Sequence, residues 1–305
     1  MRLISYHRRD HTGVGVMADD VRFVSLRRAA PELPGTLKAI LEMGPAGLKA
    51  AAEAVKGRDP DLRLDQVSVD PVMPEPQAIW ALALNFKAHI EETGLTTSKD
   101  YPQIFMRMPC SQVGHLEPLW CPDPKVAETF DYEGELAVVI GTPGRHIPVK
   151  RALQHVAGYS CYNEGSVREF QGHNRQFGLG KNFERSGSFG PWLMTPDEFG
   201  PPPNHTVITR LNGVDKQKSK LDDMLFSVEQ VIHYLSTGYL LRAGDVIVMG
   251  TPGALHPPPG YQPTPYDSKR IPGRTRMKPG DICEVEITGL GTLRNPIIAD
   301  PTPVE

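Results

Sequence analysis

The segment FDYEGELAVVIG, residues 130–141, constrains the fold of this chain more than any other stretch. From Leu136 to Ile140 it is continuously apolar, which predicts a strand buried on both faces. Glu133 and Glu135 stand just before this run, and residues two apart on a strand point to the same face. The sequence therefore predicts two neighbouring carboxylates at the mouth of a core, where they repel each other unless a positive partner lies nearby.

Composition and charge exclude several classes of partner. The 305 residues suffice for one large domain or two ordinary ones, and 33 Lys and Arg against 36 Asp and Glu give a net charge of -3. No polycationic surface for nucleic acid and no basic tail for an anionic membrane follow from this balance. No apolar run approaches the length of a membrane span, and the first residues lack a signal-like apolar region. We expect a cytoplasmic protein with neither nucleic acid nor membrane as a partner.

The distribution of prolines, glycines and cysteines indicates the domain organisation. Thirty prolines and 29 glycines are typical of short strands and shaped loops, so strands should outnumber helices. Four scattered cysteines without a C-x-x-C pair argue against a zinc ribbon or a disulfide framework. The segment 67–77 carries three prolines and marks a boundary. We predict a small N-terminal α/β domain over residues 1–73 and a larger, β-rich domain over residues 74–305.

A divalent cation is one partner that would neutralise Glu133 and Glu135. The alternative is a solvated strand end with two unpaired glutamates, which is common for an isolated E-x-E pair. A third ligand would favour the cation, and Glu164 in YSCYNEGSVREFQ follows a predicted strand within a glycine-containing turn. An ordinary turn acid is the alternative for Glu164. Because no histidine or cysteine lies at ligand spacing nearby, an all-oxygen site would favour Mg²⁺, Mn²⁺ or Ca²⁺ over zinc.

The segment NFKAHIEETG contains a candidate acid–base pair. His89 and Glu92 lie three residues apart on a predicted helical turn, so their side chains can meet on one face. A carboxylate that accepts a hydrogen bond from one imidazole nitrogen leaves the other nitrogen as a base that can activate water. Such pairs are also common on helix surfaces that have no catalytic role. Taken alone, the pair leaves both interpretations open.

Four further residues could bind an anionic substrate. Arg168 and Gln171 lie on one side of the segment that follows Glu164, Lys181 stands in GLGKNF, and Thr251 occupies MGTPG at a strand end. Arginine can hold a carboxylate through two parallel hydrogen bonds, whereas lysine supplies a point charge with adaptable reach. Each residue alone could be structural, so the prediction depends on their lying together.

In this order the motifs resemble the fumarylacetoacetate hydrolase family, in particular its catalytic domain. The matching text is NFKAHIEE, DYEGELAVVIG, VAGYSCYNEGSVREFQ, GKNFERSGSFGPWLMTPDE, LNGVDKQ, MLFSVEQVIHYLS, LRAGDVIVMGTPG and KPGDICEVEITGLGTLRNPI, which spans about residues 79–298. The resemblance implies an α+β, β-rich fold, with a mixed β-roll or barrel and peripheral helices as the catalytic domain. It also implies a homodimer, and residues 1–73 are similar, more weakly, to the family's small N-terminal domain.

The resemblance assigns roles by position. The residues that match ligands of Mg²⁺ or Mn²⁺, with Ca²⁺ possible in a crystal, are Glu133, Glu135 and Glu164. The residues that match a water-activating dyad and a pocket lysine are His89, Glu92 and Lys181. The residues that match substrate-binding positions are Arg107, Arg168, Gln171 and Thr251, of which Arg107 stands where many members have lysine.

The chain departs from the family pattern after its predicted third ligand. Better-known members have aspartate where this chain has Glu164 and Glu169, and Gly165 is a further difference. A ligand longer by one methylene must fold back or shift the cation by roughly 1 Å, so pocket geometry and substrate choice should differ. The proline-rich segment 254–276 is also longer than usual and could be a lid, an interface element or a mobile loop.

The resemblance implies hydrolysis of a C–C bond in a 2,4-dioxo acid such as an acylpyruvate or fumarylpyruvate. The substrate would chelate the cation through its carboxylate and 2-oxo oxygens, with the anion-binding residues fixing its orientation. His89, oriented by Glu92, would deprotonate a water that attacks the distal carbonyl, and breakage of C3–C4 would release pyruvate or a related 2-oxo acid. Lys181 would stabilise the oxyanion or deliver a proton.

Two alternatives remain open at the level of sequence. The same cation site could serve decarboxylation of an oxaloacetate-like acid, or isomerisation or hydration of an unsaturated 2-oxo diacid. Presence of both His89 and Glu92 favours hydrolysis, although the pair could also control protonation in a decarboxylase. The alternative of another class is a catalytically silent metal-binding scaffold, for which the departure at Glu164 is the support.

Overall fold

The fold is β-rich, and short helices lie around its sheets. The computed structural model describes residues 1–9, 11–93, 97–174, 176–255 and 275–304, with the side chains of residues 92 and 93 outside the description. The strands up to the first predicted metal ligand are β1 Arg2–Arg8, β2 His11–Met17, β3 Arg22–Ser25, β4 Leu62–Arg63, β5 Ser68–Val69, β6 Ile79–Ala83, β7 Gln103–Arg107, β8 Gln112–Val113, β9 Leu119–Cys121 and β10 Phe130–Asp131. The later strands are β11 Gly134–Ile140, β12 Val156–Asn163, β13 Ser166–Val167, β14 Gly187–Met194, β15 Thr206–Leu211, β16 Val214–Lys220, β17 Val246–Val248, β18 Ile282–Ile287 and β19 Gly291–Ala299.

The helices are short, and the longest have 11 residues. The α-helices are α1 Leu26–Ala29, α2 Leu37–Glu42, α3 Pro45–Val55, α4 Lys87–Thr93, α5 Arg168–Gln171, α6 Pro196–Phe199 and α7 Val228–Gly238. Short 3₁₀ helices cover Leu64–Gln66, Pro109–Ser111, Val149–His155, Leu179–Lys181, Pro202–Asn204 and Leu221–Asp223. Among the described residues, no helix combines the length and the apolarity needed to cross a bilayer.

A mixed sheet of 12 strands forms the centre of the molecule. Its order is β4-β3-β2-β1-β14-β12-β11-β17-β6-β7, with β5 paired to β1 and β8 paired to β14. A second sheet has the order β16-β15-β18-β19-β9, and β10 pairs with β13. The sheets thus form a β-rich α+β fold, as predicted, in which β11 holds a central position.

Strand β11 is buried on both faces, as its apolar sequence predicts. Leu136, Val138 and Ile140 belong to one apolar cluster, together with residues of α7 and β18. Ala137 and Val139 point the other way, into a second cluster that includes residues of α2 and β14. Because the side chains alternate, a single strand contributes to two cores.

Several short sequence signals match the local structure. The turn at residues 18–20 joins β2 to β3, and Gly44 separates α2 from α3, which begins at Pro45. The Asn212-Gly213 turn joins β15 to β16, with both residues at positive φ as a tight hairpin requires. The segment after residue 148 forms a 3₁₀ helix that leads into β12. All four cysteines are free, in line with the absence of a disulfide framework.

The N-terminal strands extend the main sheet. Strand β1 pairs with β14 through Arg2↔Met194 and Leu3↔Leu193, so the sheet that carries β11 continues into the N-terminal segment. The proposed boundary between residues 73 and 74 therefore divides one continuous sheet, and it stays a prediction. The predicted loop 254–276 lies mostly outside the described residues.

Candidate functional site

The end of the β11–β12 pair brings three glutamates together. Glu135 lies opposite Tyr162 in the antiparallel ladder, and the backbone N–H of Glu164 donates to the carbonyl of Glu133 at 2.8 Å. The side-chain amide of Asn163 accepts from the N–H of Glu133 at 3.1 Å, which fixes the chain between the two acids. Carboxylate oxygens of Glu133, Glu135 and Glu164 all lie within 4.8 Å of one another, and the three residues are buried.

The structure corrects one detail of the predicted strand. Residues 130–141 are not one continuous strand, because β10 ends at Asp131 and β11 begins at Gly134. Strand β10 pairs with β13, whereas β11 pairs with β12 and β17, so the chain changes partners at residues 132 and 133. Glu133 lies at this break, and its carboxylate still lies beside that of Glu135.

Lys181 supplies the positive charge that the paired acids require. Its Nζ donates to Oε2 of Glu133 at 2.6 Å and to Oε2 of Glu164 at 2.9 Å, and its side chain is 2% exposed. The 3₁₀ helix that carries it packs closely on α5, because a Cβ at Gly180 would lie 2.1 Å from the backbone nitrogen of Gln171. The predicted pocket lysine thus contacts two of the three predicted metal ligands.

Arg168 pairs with the remaining oxygen of Glu133. Its Nη1 lies 2.5 Å from Oε1 of Glu133, and Nε donates to Oδ2 of the fully buried Asp131 at 2.8 Å. Nη1 also donates to Oε1 of Gln171 at 2.7 Å, so two predicted substrate-binding residues contact each other. Burial alone would lower the pKa of Arg168, but Glu133 and Asp131 outweigh it and raise that pKa above its usual value.

The end of β17 positions the second glutamate. The backbone N–H of Gly250 donates to Oε2 of Glu135 at 2.5 Å. The hydroxyl of Thr251 donates to the carbonyl of Gly134 at 3.2 Å and accepts from the Gln217 amide at 2.9 Å. Thr251 therefore lies beside the carboxylate cluster, and its contact with substrate stays a prediction.

The carboxylates have strongly perturbed acidities. Burial raises the pKa of Glu135 well above its usual value, and the negative charges of Glu164 and Glu133 raise it further. Burial also raises the pKa of Glu164, and the positive charges of Lys181 and Arg107 partly offset the effect. Buried acids held close together in this way are typical of a cation site or an acid–base centre.

The three carboxylates offer a set of ligand atoms that fits a divalent cation. Oε1 of Glu135 and Oε1 of Glu164 are buried and have no hydrogen-bond partner within the part of the chain that the structure describes. Buried carboxylate oxygens without a donor are costly unless a proton or a cation neutralises them. Three carboxylates form an all-oxygen set, which suits Mg²⁺ or Mn²⁺. The residues predicted as ligands are therefore those that the structure brings together.

Arg107 is enclosed by protein groups. Its guanidinium donates to the hydroxyls of Ser111 and Ser186 at 3.2 and 2.9 Å and to the carbonyl of Gly165 at 3.2 Å, and the residue is 2% exposed. A Cβ at Gly187 would lie 2.7 Å from its Nη2. These contacts give Arg107 a structural role beside Glu164. Its predicted contact with substrate stays a prediction.

The predicted dyad lies on a helix that is attached to the same strand end. His89 is half-buried on α4, and the Glu92 side chain lies outside the described residues. Just before α4, the amide of Asn85 donates to the carbonyl of Met249 at 2.7 Å. Met249 precedes Gly250, so α4 begins close to the residue that holds Glu135.

Glu169, one of the two departures from the family pattern, attaches α5 to the preceding loop. Its Oε1 accepts from the backbone N–H of Glu128 at 2.9 Å, and its Oε2 accepts from the hydroxyl of Thr129. The N–H of Glu169 donates in turn to the Thr129 hydroxyl at 3.2 Å. This departure therefore serves a local contact at the start of the helix that carries Arg168.

Sequence reasoning missed two charged residues of the site, Asp131 and Arg276. Asp131 is fully buried, and its Oδ2 lies 2.6 Å from Nη1 of Arg276 and 2.7 Å from Nη2 of Arg168. Asp131 stands two residues before Glu133, so its position was an available signal. Arg276 follows a long proline-rich segment, and no local pattern relates it to the glutamates.

Relatives of this chain include enzymes from distant organisms. The chain is 30% identical over 306 residues to "Oxaloacetate tautomerase fahd2, mitochondrial" of Xenopus laevis, covering 98% of this chain and 90% of that protein. It is 31% identical over 300 residues to "Oxaloacetate tautomerase YisK" of Bacillus subtilis, covering 93% of this chain and 95% of that protein. Both similarities extend over nearly the whole chain.

Structure and family comparisons agree with these relatives. A solved structure of maleylpyruvate hydrolase from Sphingobium sp. SYK-6, in complex with manganese(II) and pyruvate, has the same fold, with a TM-score of 0.76 and 22% identity over 98% of this chain and 99% of that one. The family model described as fumarylacetoacetate (FAA) hydrolase, C-terminal, matches residues 78–298. The chain therefore belongs to the fumarylacetoacetate hydrolase family, whose members among its relatives include hydrolases, isomerases and oxaloacetate tautomerases.

Proposed function

We propose that this chain is a divalent-cation-dependent enzyme that interconverts the keto and enol forms of a 2-oxo acid. The observation that carries the proposal is the contact of Lys181 Nζ with Glu133 and Glu164, two of three buried carboxylates with converging oxygens. A proton-carrying group thus lies at the edge of a cation site. The two oxaloacetate tautomerases among the relatives make oxaloacetate the first substrate to test.

The proposed cation is Mg²⁺ or Mn²⁺, held by Glu133, Glu135 and Glu164. When bound, it would act as a Lewis acid that polarises the 2-oxo group and orients the adjacent carboxylate. The manganese in the related hydrolase structure and the all-oxygen donor set support this choice. Arg168 would attract the substrate carboxylate by its positive charge, while Asp131 and Glu133 fix the plane of its guanidinium.

Tautomerisation requires one proton to leave C3 and one to reach the 2-oxo oxygen. Lys181 Nζ is the proposed carrier of these protons: it would donate one proton to the 2-oxo oxygen and take up the proton that leaves C3, while its hydrogen bonds to Glu133 and Glu164 hold it at the cation site. Burial of all three groups excludes bulk water from this exchange. No bond to an attacking water is needed, so the residues described at the site suffice for the reaction.

The test is the decay of enol absorbance of freshly dissolved oxaloacetate. We expect acceleration by the protein with Mg²⁺ or Mn²⁺, none with a chelator, and no stoichiometric release of pyruvate. Lys181→Met should abolish the acceleration, and the exposed Lys218→Met is the matched control. Absence of acceleration by folded, cation-loaded protein would reject the proposal, and absence of turnover in the acylpyruvate test below as well would favour the silent metal-binding scaffold.

Hydrolysis of a C–C bond in an acylpyruvate is the second candidate. It is favoured by the position of α4, which carries His89 and is attached through Asn85 to the carbonyl of Met249, next to Gly250. His89 would then deprotonate a water for attack at the distal carbonyl. Decarboxylation of oxaloacetate would use the same cation site and would release pyruvate without an added water.

Products and one substitution separate the candidates. A hydrolase should convert an acylpyruvate panel into stoichiometric pyruvate and a carboxylic acid, in a cation-dependent reaction. His89→Asn should then abolish turnover, whereas His146→Asn, at an exposed histidine, should not. If enol decay of oxaloacetate persists in His89→Asn without pyruvate release, tautomerisation is the supported reaction.

We also propose that the chain forms a homodimer. Met106, Met108 and Leu179 are 49%, 59% and 58% exposed, and they lie together because the N–H of Met108 donates to Asn182 at 2.6 Å. Strand β7, which carries Met106, is last in the sheet order. Sedimentation velocity should give twice the chain mass, and Met108→Glu should shift the protein toward monomer. A wild-type monomer at micromolar concentration would reject the dimer.

A further inference from the structure

Glu164 and Gly165 form a two-residue link between strands of different sheets. Asn163 ends β12 in the main sheet, and Ser166 begins β13, which pairs with β10. The N–H of Glu164 donates to the carbonyl of Glu133 at 2.8 Å, and the carbonyl of Glu164 accepts from the Ser166 hydroxyl at 2.8 Å. The backbone of Glu164 is therefore held from both sides, so it has little freedom to move relative to the carboxylate cluster.

Gly165 lies directly against the backbone of Ser186. A Cβ at residue 165 would lie 1.8 Å from the carbonyl oxygen of Ser186, so the space admits only glycine. Ser186 is itself held in place, because its hydroxyl donates to the carbonyl of Phe183 at 2.7 Å and accepts from Arg107 at 2.9 Å. Arg107 also donates to the carbonyl of Gly165 at 3.2 Å. The link is thus fixed between Ser186 and Arg107.

The side chain of Glu164 spans the distance from this fixed backbone to the cluster. Its Oε2 accepts from Lys181 Nζ at 2.9 Å. One carboxylate oxygen from each of Glu133, Glu135 and Glu164 lies within 4.8 Å of the other two. Aspartate at residue 164 would be shorter by one C–C bond, about 1.5 Å. Because the backbone is fixed, no movement of the link would close that gap.

We propose that Gly165 is a positioning residue that fixes the link against Ser186, so that the cation site of this chain requires glutamate, and not aspartate, at residue 164; this inference rests on the cation site of the proposed function. The two departures from the family pattern are then coupled. The glycine sets where the backbone lies, and the additional methylene gives the ligand its reach. The aspartate typical of better-known members should therefore bind the cation more weakly in this chain.

Shortening of the ligand tests the required reach. In calorimetry with Mn²⁺, folded Glu164→Asp should bind the cation at least about tenfold more weakly than wild type. Glu284→Asp is the matched control, because it removes one methylene from an acid that is paired with Arg294 at 2.5 Å outside the cluster. Its Mn²⁺ affinity should stay within about twofold of wild type. A smaller loss than expected in Glu164→Asp overturns the inference.

A methyl group at residue 165 tests the positioning role. Gly165→Ala should displace the link and weaken Mn²⁺ binding by about tenfold or more. In a Glu164→Ala background the same change should alter the affinity by less than about twofold, because its effect passes through Glu164. Gly47→Ala is the control for crowding, since a Cβ there would lie 2.0 Å from the carbonyl oxygen of Ile40, between α2 and α3. It should lower stability and leave Mn²⁺ affinity unchanged.

The outcomes separate the inference from the function on which it rests. Failure of wild type to bind Mn²⁺ overturns the proposed cation site and the inference together. Binding by wild type with an equal loss from Gly165→Ala in both backgrounds, or with no loss in either, overturns the inference alone. If Gly165→Ala does not fold, the inference stands or falls with Glu164→Asp. Weak binding by Glu164→Asp, with an effect of Gly165→Ala that needs Glu164, supports both.

Discussion

Gly250 and Glu135 are joined by a 2.5 Å hydrogen bond from the backbone N–H of the glycine to the carboxylate, which fixes a predicted metal ligand to the end of β17. Gly250 has a φ of +89°, and a Cβ there would lie 2.8 Å from Cβ of Asn85. Both the backbone conformation and the space therefore call for glycine at the position that orients this carboxylate.

Replacement of this glycine should weaken the site as well as the fold. Gly250→Ala should lower the free energy of unfolding by roughly 2–4 kcal/mol, from the left-handed conformation and the contact with Asn85. Because the displaced N–H no longer orients Glu135, Mn²⁺ affinity should fall by about tenfold or more. Denaturant unfolding and calorimetry with Mn²⁺ measure the two effects.

Gly213 provides the control for strain alone. It has a φ of +77°, and a Cβ there has open space around it. Gly213→Ala should cost only roughly 1–2 kcal/mol and should leave Mn²⁺ affinity unchanged. Equal losses of cation affinity in the two variants would contradict the assigned role of Gly250.

Lys181→Met should change stability and cation affinity in opposite directions. Without the ammonium, Glu133 and Glu164 lose a buried positive partner, so the cation-free protein should lose about 3–5 kcal/mol of stability. Mn²⁺ should bind at least about tenfold more tightly, because a positive charge beside its ligands has been removed. Calorimetry and unfolding with and without Mn²⁺ test both expectations, with Lys218→Met as control. Weaker binding of Mn²⁺ would show that Lys181 helps to assemble the site.

The cation-free protein should lose stability as pH rises. Burial, followed by the charges of Glu164 and Glu133, raises the pKa of Glu135 above its usual 4.5, so the folded state holds the proton more tightly than the unfolded state. Between these two pKa values the folded state binds more protons, and the free energy of unfolding must fall with increasing pH. Denaturant unfolding in a chelator, from pH 4.5 upward, should show this decline.

Glu135→Gln and Mn²⁺ serve as the two controls for this pH dependence. The amide cannot ionise, so the decline should be smaller in the variant. In wild type, Mn²⁺ should offset the decline, because the cation binds the ionised carboxylates that form as pH rises. The same slope in wild type and variant would exclude Glu135 as its source.

Arg107→Lys tests a structural role against a substrate-binding role. Lysine cannot reproduce the fork that contacts Ser111, Ser186 and Gly165, so the variant should lose about 1–3 kcal/mol of stability. The Mg²⁺-loaded variant should bind oxamate, an unreactive analogue of a 2-oxo acid, with an affinity that changes by less than about threefold. Arg185→Lys, at a more exposed arginine, is the control. A large loss of oxamate affinity with unchanged stability would support the predicted contact of Arg107 with substrate.

Local sequence signals account for elements whose cause is local. The Asn212-Gly213 hairpin follows from backbone conformations that these two residues tolerate. Helix α7 follows from its apolar spacing and from Ser227 and Gln230, which form a capping box at its start. The burial of β11 follows from its uninterrupted apolar run. In each case the residues that determine the structure are neighbours in the chain.

The parts that sequence reasoning missed depend on distant residues. The break at residues 132 and 133 arises because β10 and β11 pair with different strands, which no property of the segment itself indicates. The contact of Asp131 with Arg276 joins residues 145 positions apart. The E-x-E spacing and the turn position of Glu164 made the three glutamates candidates, and the family pattern assigned them as ligands, whereas their pairing with Lys181 and Arg168 required the fold.

The burial of β11 on both faces has a consequence for the dynamics of the site. Amide protons of a strand with such burial exchange with solvent only through the largest opening events of a protein. Glu135 belongs to this strand and Glu164 directly follows its partner β12, so we expect the carboxylates to be attached to a slowly exchanging part of the molecule. Local opening at the periphery should therefore leave the ligands for the cation assembled.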